Sequence, residues 1–397
     1  MDCFFQSFSA PVPLFSTICG VLAVACLLLQ AYVWREYYWR VVRYRKSSDA
    51  ATPLPDAQLP PASVVVYACD NAESLRRNIP ALFDQDYPDF EVVIVDDAST
   101  DDTPEVIQML MNTYPRLYAT RVPADACALS RKKLALTLGI KAVKNDCVAL
   151  LDANCEPASP HWLRNTMRHF ADGADVVIGY SRYEAPDTFA DRYRLCDRLL
   201  FSLRYLSCAV RRTPFMAEGT NLAYRKSLFF DHKGFGQRLN LRYGDDDLFV
   251  NEVAAPGNTR VEISPESFVT VRGDDFVTMW RLQKMRYSFT APYLQHDRQA
   301  LFAGEQAAVY LFYAAWAGML AAGICYPAVL LAALLLLLLR GALLTVVFRK
   351  LCRLFGEPSF GLNVLLYEWA RPLTNAYYRL LARFRRDENK TWHSVKV

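Results

Sequence analysis

Four consecutive apolar residues, Val148-Ala149-Leu150-Leu151, run without helical spacing and stop at Asp152-Ala153-Asn154. Such a run reads as a strand covered on both faces, the pattern of a parallel sheet flanked by helices. Open sheets of this kind bind their ligands outside the carboxyl ends of the strands. Here that end offers a carboxylate, Asp152, and two residues later a carboxamide, Asn154. Both present oxygen. Mg²⁺ and Mn²⁺ take oxygen ligands, a few from protein and others from substrate phosphates. A plain strand-to-loop turn also uses Asp and Asn, so the context has to decide between the two.

The context is an alternation of strands and helices. Val64-Val65-Val66-Tyr67 predicts a buried strand, followed by Cys69-Asp70-Asn71 and a helix through Leu75 and Ile79. Glu91 to Val95 predicts a second strand, ending at Asp96-Asp97-Ala98-Ser99, with a helix from Pro104. Proline suits that first-turn position. Tyr118 to Val122 reads as a short strand and Leu134 to Val143 as a helix, with Asp175 to Ile178 a further strand. This order predicts an α/β fold with a doubly wound, mostly parallel sheet. Asp187 to Arg212 carries leucines at helical spacing among Arg192, Arg194, Arg198, Arg204 and Arg211. A bilayer-surface helix and a solvated helix packed on the sheet both fit that pattern.

Hydrophobic residues make up 53% of the 397, and they are concentrated outside the α/β stretch. Leu14 to Trp34 is about twenty residues without a charge, long enough to cross a bilayer. Arg35, Arg40, Arg43, Arg45 and Lys46 follow among aromatics, which places the amino terminus outside and the rest inside. The lack of a cleavage site argues for an anchor rather than a signal peptide. A second uncharged run, Gln306 to Leu339, is broken by Pro327 and predicts a hairpin of two short spans. Leu343 to Phe355 either extends its second arm or lies at the interface. Arg371, Arg379, Arg383, Arg385 and Arg386 make a basic tail. The expected organisation is an anchor with basic flank (1–46), a proline-rich linker (47–61) and an α/β domain (62–295). A hairpin (306–340) and an interfacial helix with cytoplasmic tail (341–397) complete it. The net charge of +4 suggests no nucleic-acid partner. Eleven cysteines without a CxxC pair, and five histidines without ligand spacing, read as reduced and structural.

Four acidic or basic clusters then stand in order: Asp96-Asp97-Ala98-Ser99, Asp152-Ala153-Asn154, Gly244-Asp245-Asp246-Asp247-Leu248 and Gln283-Lys284-Met285-Arg286-Tyr287. Together they resemble the motifs of membrane-bound family 2 glycosyltransferases, over roughly Ala62 to Leu294. The resemblance implies a GT-A fold, a nucleotide-sugar donor (a UDP-sugar by expectation), Mg²⁺ or Mn²⁺, and inversion at the anomeric carbon. It implies donor contacts at Tyr67, Ala68, Asn71, Asp96, Asp97, Lys132, Asp152, Gln283 and Arg286. Asp152 and Asn154 fall on the family's DxD motif, and Asn154 replaces its usual second aspartate. One negative charge is lost there, so cation affinity should weaken. Three adjacent carboxylates repel one another, so at least one should have a raised pKa, which suits a general base. The family's register puts the base on Asp246, with Asp245 the alternative. Tyr287 stands where tryptophan is usual. Phe215 to Asn221 looks like the acceptor-side loop and brings in Gly219 and Asn221.

These residues predict an inverting glycosyltransferase anchored in the cell inner membrane, its active site cytoplasmic. The acceptor would be a lipid-linked or other membrane or envelope molecule. A processive polysaccharide synthase needs a channel for its polymer, and about three spans favour a single transfer instead. A non-catalytic membrane scaffold is favoured by Asn154 and opposed by the intact acidic cluster.

Overall fold

The computed structural model describes residues 14–48, 54–126, 128–273, 275–324 and 326–384. Residues 49–53 of the expected linker, and the tail from 385 with Arg385 and Arg386, lie outside the described residues. The chain divides into two compact units, Met1–Val42 with His296–Ala376, and Arg43–Gln295 with Tyr377–Val397.

The described chain opens with α1 (Leu14–Val33) and α2 (Trp39–Ser48), joined by a π-helical turn at Trp34–Tyr38. The second unit then alternates β1 (Ala62–Ala68), α3 (Ala72–Phe83), β2 (Phe90–Asp96), α4 (Thr103–Thr113), β3 (Leu117–Arg121), α5 (Arg131–Ala142) and β4 (Cys147–Asp152). After β4 come β5 (Cys155–Pro157), α6 (Trp162–Ala171), β6 (Val176–Ile178), β7 (Ser181–Tyr183) and α7 (Phe189–Val210). The unit continues through β8 (Leu222–Arg225), α8 (Lys226–Asp231), α9 (Asp247–Val253), β9 (Thr259–Val261), β10 (Val269–Val271) and α10 (Phe276–Thr290).

Seven strands form the main sheet in the order β3-β2-β1-β4-β8-β6-β9, and β5-β10-β7 form a small second sheet. All neighbours in the main sheet are parallel except β8, which runs antiparallel to both β4 and β6. The mostly parallel doubly wound sheet expected from the sequence is therefore the one found. Its centre is apolar on both faces: Val64 to Val66, Val92 to Val95 and Val148 to Leu151 are all buried. Helix α5 packs unusually close. A Cβ on Gly139 would lie 2.6 Å from Val95 Cγ2 and 2.7 Å from Val65 Cγ1.

Register sets the site. Tyr67 pairs with Asp152 and Ala68 with Asp96, so three strands end side by side. The basic helix α7 buries Leu195, Leu199, Leu200, Leu203 and Leu206, and Arg198 with them. It is a core helix, which corrects the bilayer-surface alternative: its leucine face is consumed inside the protein.

The first unit is helical. It adds α11 (His296–Gly323), α12 (Pro327–Phe355) and the start of α13 (Val364–Phe384) to α1. Cys19, Ala23, Cys26, Ala308, Phe312, Ala315, Met319 and Ala333 form its core. Helix α11 ends at Gly323, and α12, from Pro327, runs unbroken through Leu343 to Phe355. Two stretches among the described residues, Leu14–Arg45 and Pro327–Phe355, are long and apolar enough to cross a membrane.

Candidate active site

The ends of β1 and β2 hold Asp96 and Asp97, both buried. Asp96 accepts from Ser99 N at 2.9 Å and faces Arg121 Nε at 3.2 Å. Asp97 accepts the Tyr67 hydroxyl at 2.8 Å and Arg131 Nε at 2.9 Å. Burial first, then the charge of Asp97, push the Tyr67 phenol well up, so it stays a proton donor. Asn71 caps the turn, its Oδ1 accepting Cys69 N at 3.2 Å. Ala68 is fully buried, and its carbonyl accepts Asp97 N at 2.8 Å. Asp70 and Ala98 both take positive φ, 51° and 50°. Such positions in non-glycine residues cluster at binding sites.

Lys132 lies on the first turn of α5, whose N-cap Ser130 accepts from Lys133 N at 3.3 Å. Its ammonium reaches Asp152 Oδ1 at 2.7 Å and Oδ2 at 3.0 Å, and sits 3.9 Å from Asp245 Oδ2. Arg286 donates to both oxygens of Asp245, at 3.0 and 3.3 Å. The result is a row of alternating charge: Asp152, Lys132, Asp245, Arg286. Burial alone would push the Asp245 carboxyl up, but Arg286 and Lys132 outweigh it and hold the group below its usual range. Burial likewise works against the Lys132 charge, and Asp152 and Asp245 reverse the balance, raising its pKa.

Asn154 faces elsewhere. Its amide nitrogen points to Met279 Sδ at 3.8 Å, and its side-chain oxygen accepts the Cys155 thiol at 3.7 Å. No group of three His, Cys, Asp or Glu side chains is arranged for a metal among the described residues.

Gly244 opens the acidic cluster at φ 99°, where a Cβ would lie 2.5 Å from Leu248 Cδ1. Asp246 is the N-cap of α9 and accepts Asp247 N at 2.8 Å through Oδ1. Its Oδ2 accepts Gly219 N at 3.0 Å and the Tyr287 hydroxyl at 2.8 Å. Asp247 turns inward, accepting the Thr290 hydroxyl and Leu248 N. Burial first, then the charge of Asp246, push the Asp247 carboxyl well up. The raised pKa expected of this cluster is thus found on Asp247, away from the residue expected to be the base. Behind it, buried Lys133 donates to the Arg238 and Leu241 carbonyls at 2.8 and 2.9 Å. Burial pulls that amine down to about 8.

Gln283 donates to the Tyr183 hydroxyl and to Glu218 Oε1, and Arg198 bridges the same two groups. Its amide nitrogen therefore serves an interior network, and Arg286 is the member of the pair that reaches the charged row. Asn221 lies within the fold. Buried at 4% exposure, it accepts Trp162 Nε1 at 3.1 Å and donates to the Tyr180 and Ser267 carbonyls. Gly219 and Tyr287, by contrast, converge on Asp246. Glu218 stood within the Phe215–Asn221 loop already singled out, and Arg131 is the sequence neighbour of Lys132. Arg198 gave no local signal, being one arginine among several on α7.

Residues 63–232 match the family described as "Glycosyl transferase family 2". The glycosyltransferase AglE of Haloferax volcanii is 27% identical over 139 residues, covering 34% of this chain and 44% of that protein. The chain thus matches less than half the length of that relative. Among solved structures, the mannosyltransferase PcManGT from Pyrobaculum calidifontis, in complex with GDP-Man and Mn²⁺, superposes with a TM-score of 0.55. The likeness covers 90% of this chain and 99% of the other at 21% identity, and it is a likeness of fold. The GT-A type sheet expected from the motifs is in agreement with it.

Proposed function

We propose, for a chain that belongs to the family 2 glycosyltransferases, that it moves a sugar from a nucleotide-sugar donor to a membrane-held acceptor, with inversion. The observation that carries this reading is the charged row Asp152–Lys132–Asp245–Arg286 with Asp246 beside it. Asp96, Asp97 and Tyr67 supply hydrogen-bonding groups at the strand ends suited to the nucleoside. Lys132 and Arg286 supply positive charge for the diphosphate that leaves as the glycosidic bond breaks. Asp246 takes the proton of the acceptor hydroxyl while that oxygen attacks the anomeric carbon from the opposite face. The Gly219 N–H and the Tyr287 hydroxyl, both on Oδ2, hold the carboxylate in place for that step.

The donor atoms fit a divalent cation in kind. Asp152 would bring an anionic oxygen to Mg²⁺ or Mn²⁺ beside diphosphate oxygens, and Asn154 a neutral one only if its side chain turned from Met279 and Cys155. When bound, the cation supplies Lewis-acid stabilisation of the leaving group. Lys132 already holds Asp152, so a cation there competes with the ammonium.

Two apolar stretches, Leu14–Arg45 and Pro327–Phe355, support anchoring in a membrane. Their basic flanks support a cytoplasmic active site, where nucleotide sugars are available. Two candidate spans among the described residues support a single transfer over processive synthesis. The test is a screen of UDP- and GDP-sugars with the purified full chain, measuring nucleotide diphosphate release with and without Mn²⁺. Release from one donor class, enhanced by membrane lipid extract, is expected. Absence of release from every donor would instead support a scaffold that kept the fold.

A further inference from the structure

We propose that α13 lies along the lipid–water interface, with one face in the acyl chains of a bilayer. The proposal rests on the reading that α1 and α12 span a membrane. Leu366, Trp369, Leu373, Tyr377, Leu380 and Phe384 recur at spacings of three and four, and each is between 50% and 79% exposed. They form one stripe of the helix. Val364, Tyr367, Tyr378 and Ala382, on another face, are buried. The helix therefore has two apolar faces, and protein covers one.

Arg340 shows what covers the other. It interrupts the leucine run of α12 and is fully buried, at 0% exposure. Its guanidinium donates to Gln30 Oε1 at 3.0 Å and to the Tyr313 hydroxyl oxygen at 3.1 Å, and pairs with Glu368 Oε2 at 2.7 Å. Arg340 follows Pro327 by thirteen residues, about 20 Å of helix, which falls short of the roughly 30 Å hydrocarbon thickness. A charge at that depth requires a partner. Glu368 supplies it from the second turn of α13, so the start of α13 sits at the level of lipid rather than of water. Glycines at positive φ, Gly356 at 67° and Gly361 at 56°, turn the chain between α12 and α13. The helix does not cross: Glu368, Arg371, Arg379 and Arg383 are spread along its length. Arg379 and Arg383 are exposed beside the stripe and suit anionic headgroups.

The experiment uses the full chain reconstituted in vesicles of equal phosphatidylcholine and phosphatidylglycerol. Tryptophan emission is compared between the wild type and Trp369→Phe, with bromines placed shallow or deep in the acyl chains, and with aqueous iodide. Phenylalanine keeps the ring that packs on Tyr310. The emission lost on substitution should be quenched most by shallow bromines and be shielded from iodide. Quenching by iodide with none from bromolipid would overturn the proposal and mark the stripe as a docking face for a soluble protein. Strongest quenching by deep bromines would overturn it in favour of a third span. Trp34, just past the end of α1 and within the apolar stretch Leu14–Arg45, serves as the internal control. If bromolipid quenches none of the emission, the anchored reading itself fails, which is distinct from failure at α13 alone.

Discussion

The ammonium of Lys132 lies 2.7 Å from Asp152 Oδ1, occupying the carboxylate that a donor-bound cation would need. A diphosphate that drew the ammonium away would release Asp152, and donor and cation would then be coupled through this pair. Lys132→Met should therefore tighten Mn²⁺ binding to the donor-free protein. It should also lower kcat/KM for the donor at least about tenfold, the worth of one hydrogen bond to a charged group. Asn154→Asp should tighten Mn²⁺ as well, by restoring a negative charge. Calorimetric titration of the full chain in detergent measures both. Unchanged Mn²⁺ affinity in Lys132→Met would show that the lysine does not guard the carboxylate.

Asp246 and Asp245 should separate on substitution, because their partners differ. Asp246 holds only neutral donors, Gly219 N, Asp247 N and the Tyr287 hydroxyl, whereas Asp245 holds Arg286. Asp246→Asn should lower kcat by about a hundredfold or more with donor KM little changed. Asp245→Asn should act mainly on donor KM, by loosening Arg286. Gly219→Ala should give a smaller loss of kcat, since its Cβ would press within 3.2 Å of Asp246 Cβ. Near-normal turnover in Asp246→Asn, beside an inactive Asp245→Asn, would move the base by one residue.

Asp247 gives a pH dependence of the opposite sign to an ordinary ion pair. Its carboxyl is raised in the folded chain, by burial first and by Asp246 next, so the folded state holds a proton that the unfolded state gives up. Its stabilising contribution is present at acid pH and is lost as pH rises from the usual carboxylate value through the folded one. Asp247→Asn removes that dependence. Asparagine can still accept Leu248 N and donate to the Thr290 oxygen. The variant should melt no lower than wild type at pH 5 and higher at pH 8. A lower melting temperature at both would mean that the carboxylate itself is needed.

The legible parts of the chain are those whose signal is local. Val64 to Tyr67, Glu91 to Val95 and Val148 to Leu151 are apolar runs ending in acids, and the sheet's register carries those ends into one row. Strand β8 was hidden because its four residues, Leu222–Arg225, carry no period of their own and become a strand only between β4 and β6. The same limit hid the division of labour in the acidic cluster. Three aspartates in a row look alike until α10 supplies Arg286 to the first, Tyr287 to the second and Thr290 to the third. The bonds of Asn221 to two backbone carbonyls were hidden for a related reason: they depend on chain segments far from it in sequence.

Glu262 is the clearest acid-sensitive support of the α/β unit. It accepts from Arg168 at 2.8 Å and shares a hydrogen bond with His169 at 2.9 Å, both on α6, and also accepts Ser264 N and the Ser267 hydroxyl. Burial opposes its charge, but His169 and Arg168 outweigh burial and lower the carboxyl from 4.5 to about 2. A depressed carboxylate contributes stability that is whole above its unfolded value and lost as pH falls from about 4.5 toward 2. The depression corresponds to on the order of 3 kcal/mol. Glu262→Gln should therefore lower the melting temperature at pH 7, since Arg168 and His169 lose the carboxylate they face. The gap to wild type should narrow as pH falls below about 4.5 and close only near 2, where protonation of the folded carboxyl makes the two side chains alike. Thermal unfolding of both proteins across that range checks it, and a gap that stays constant would assign the loss to packing instead.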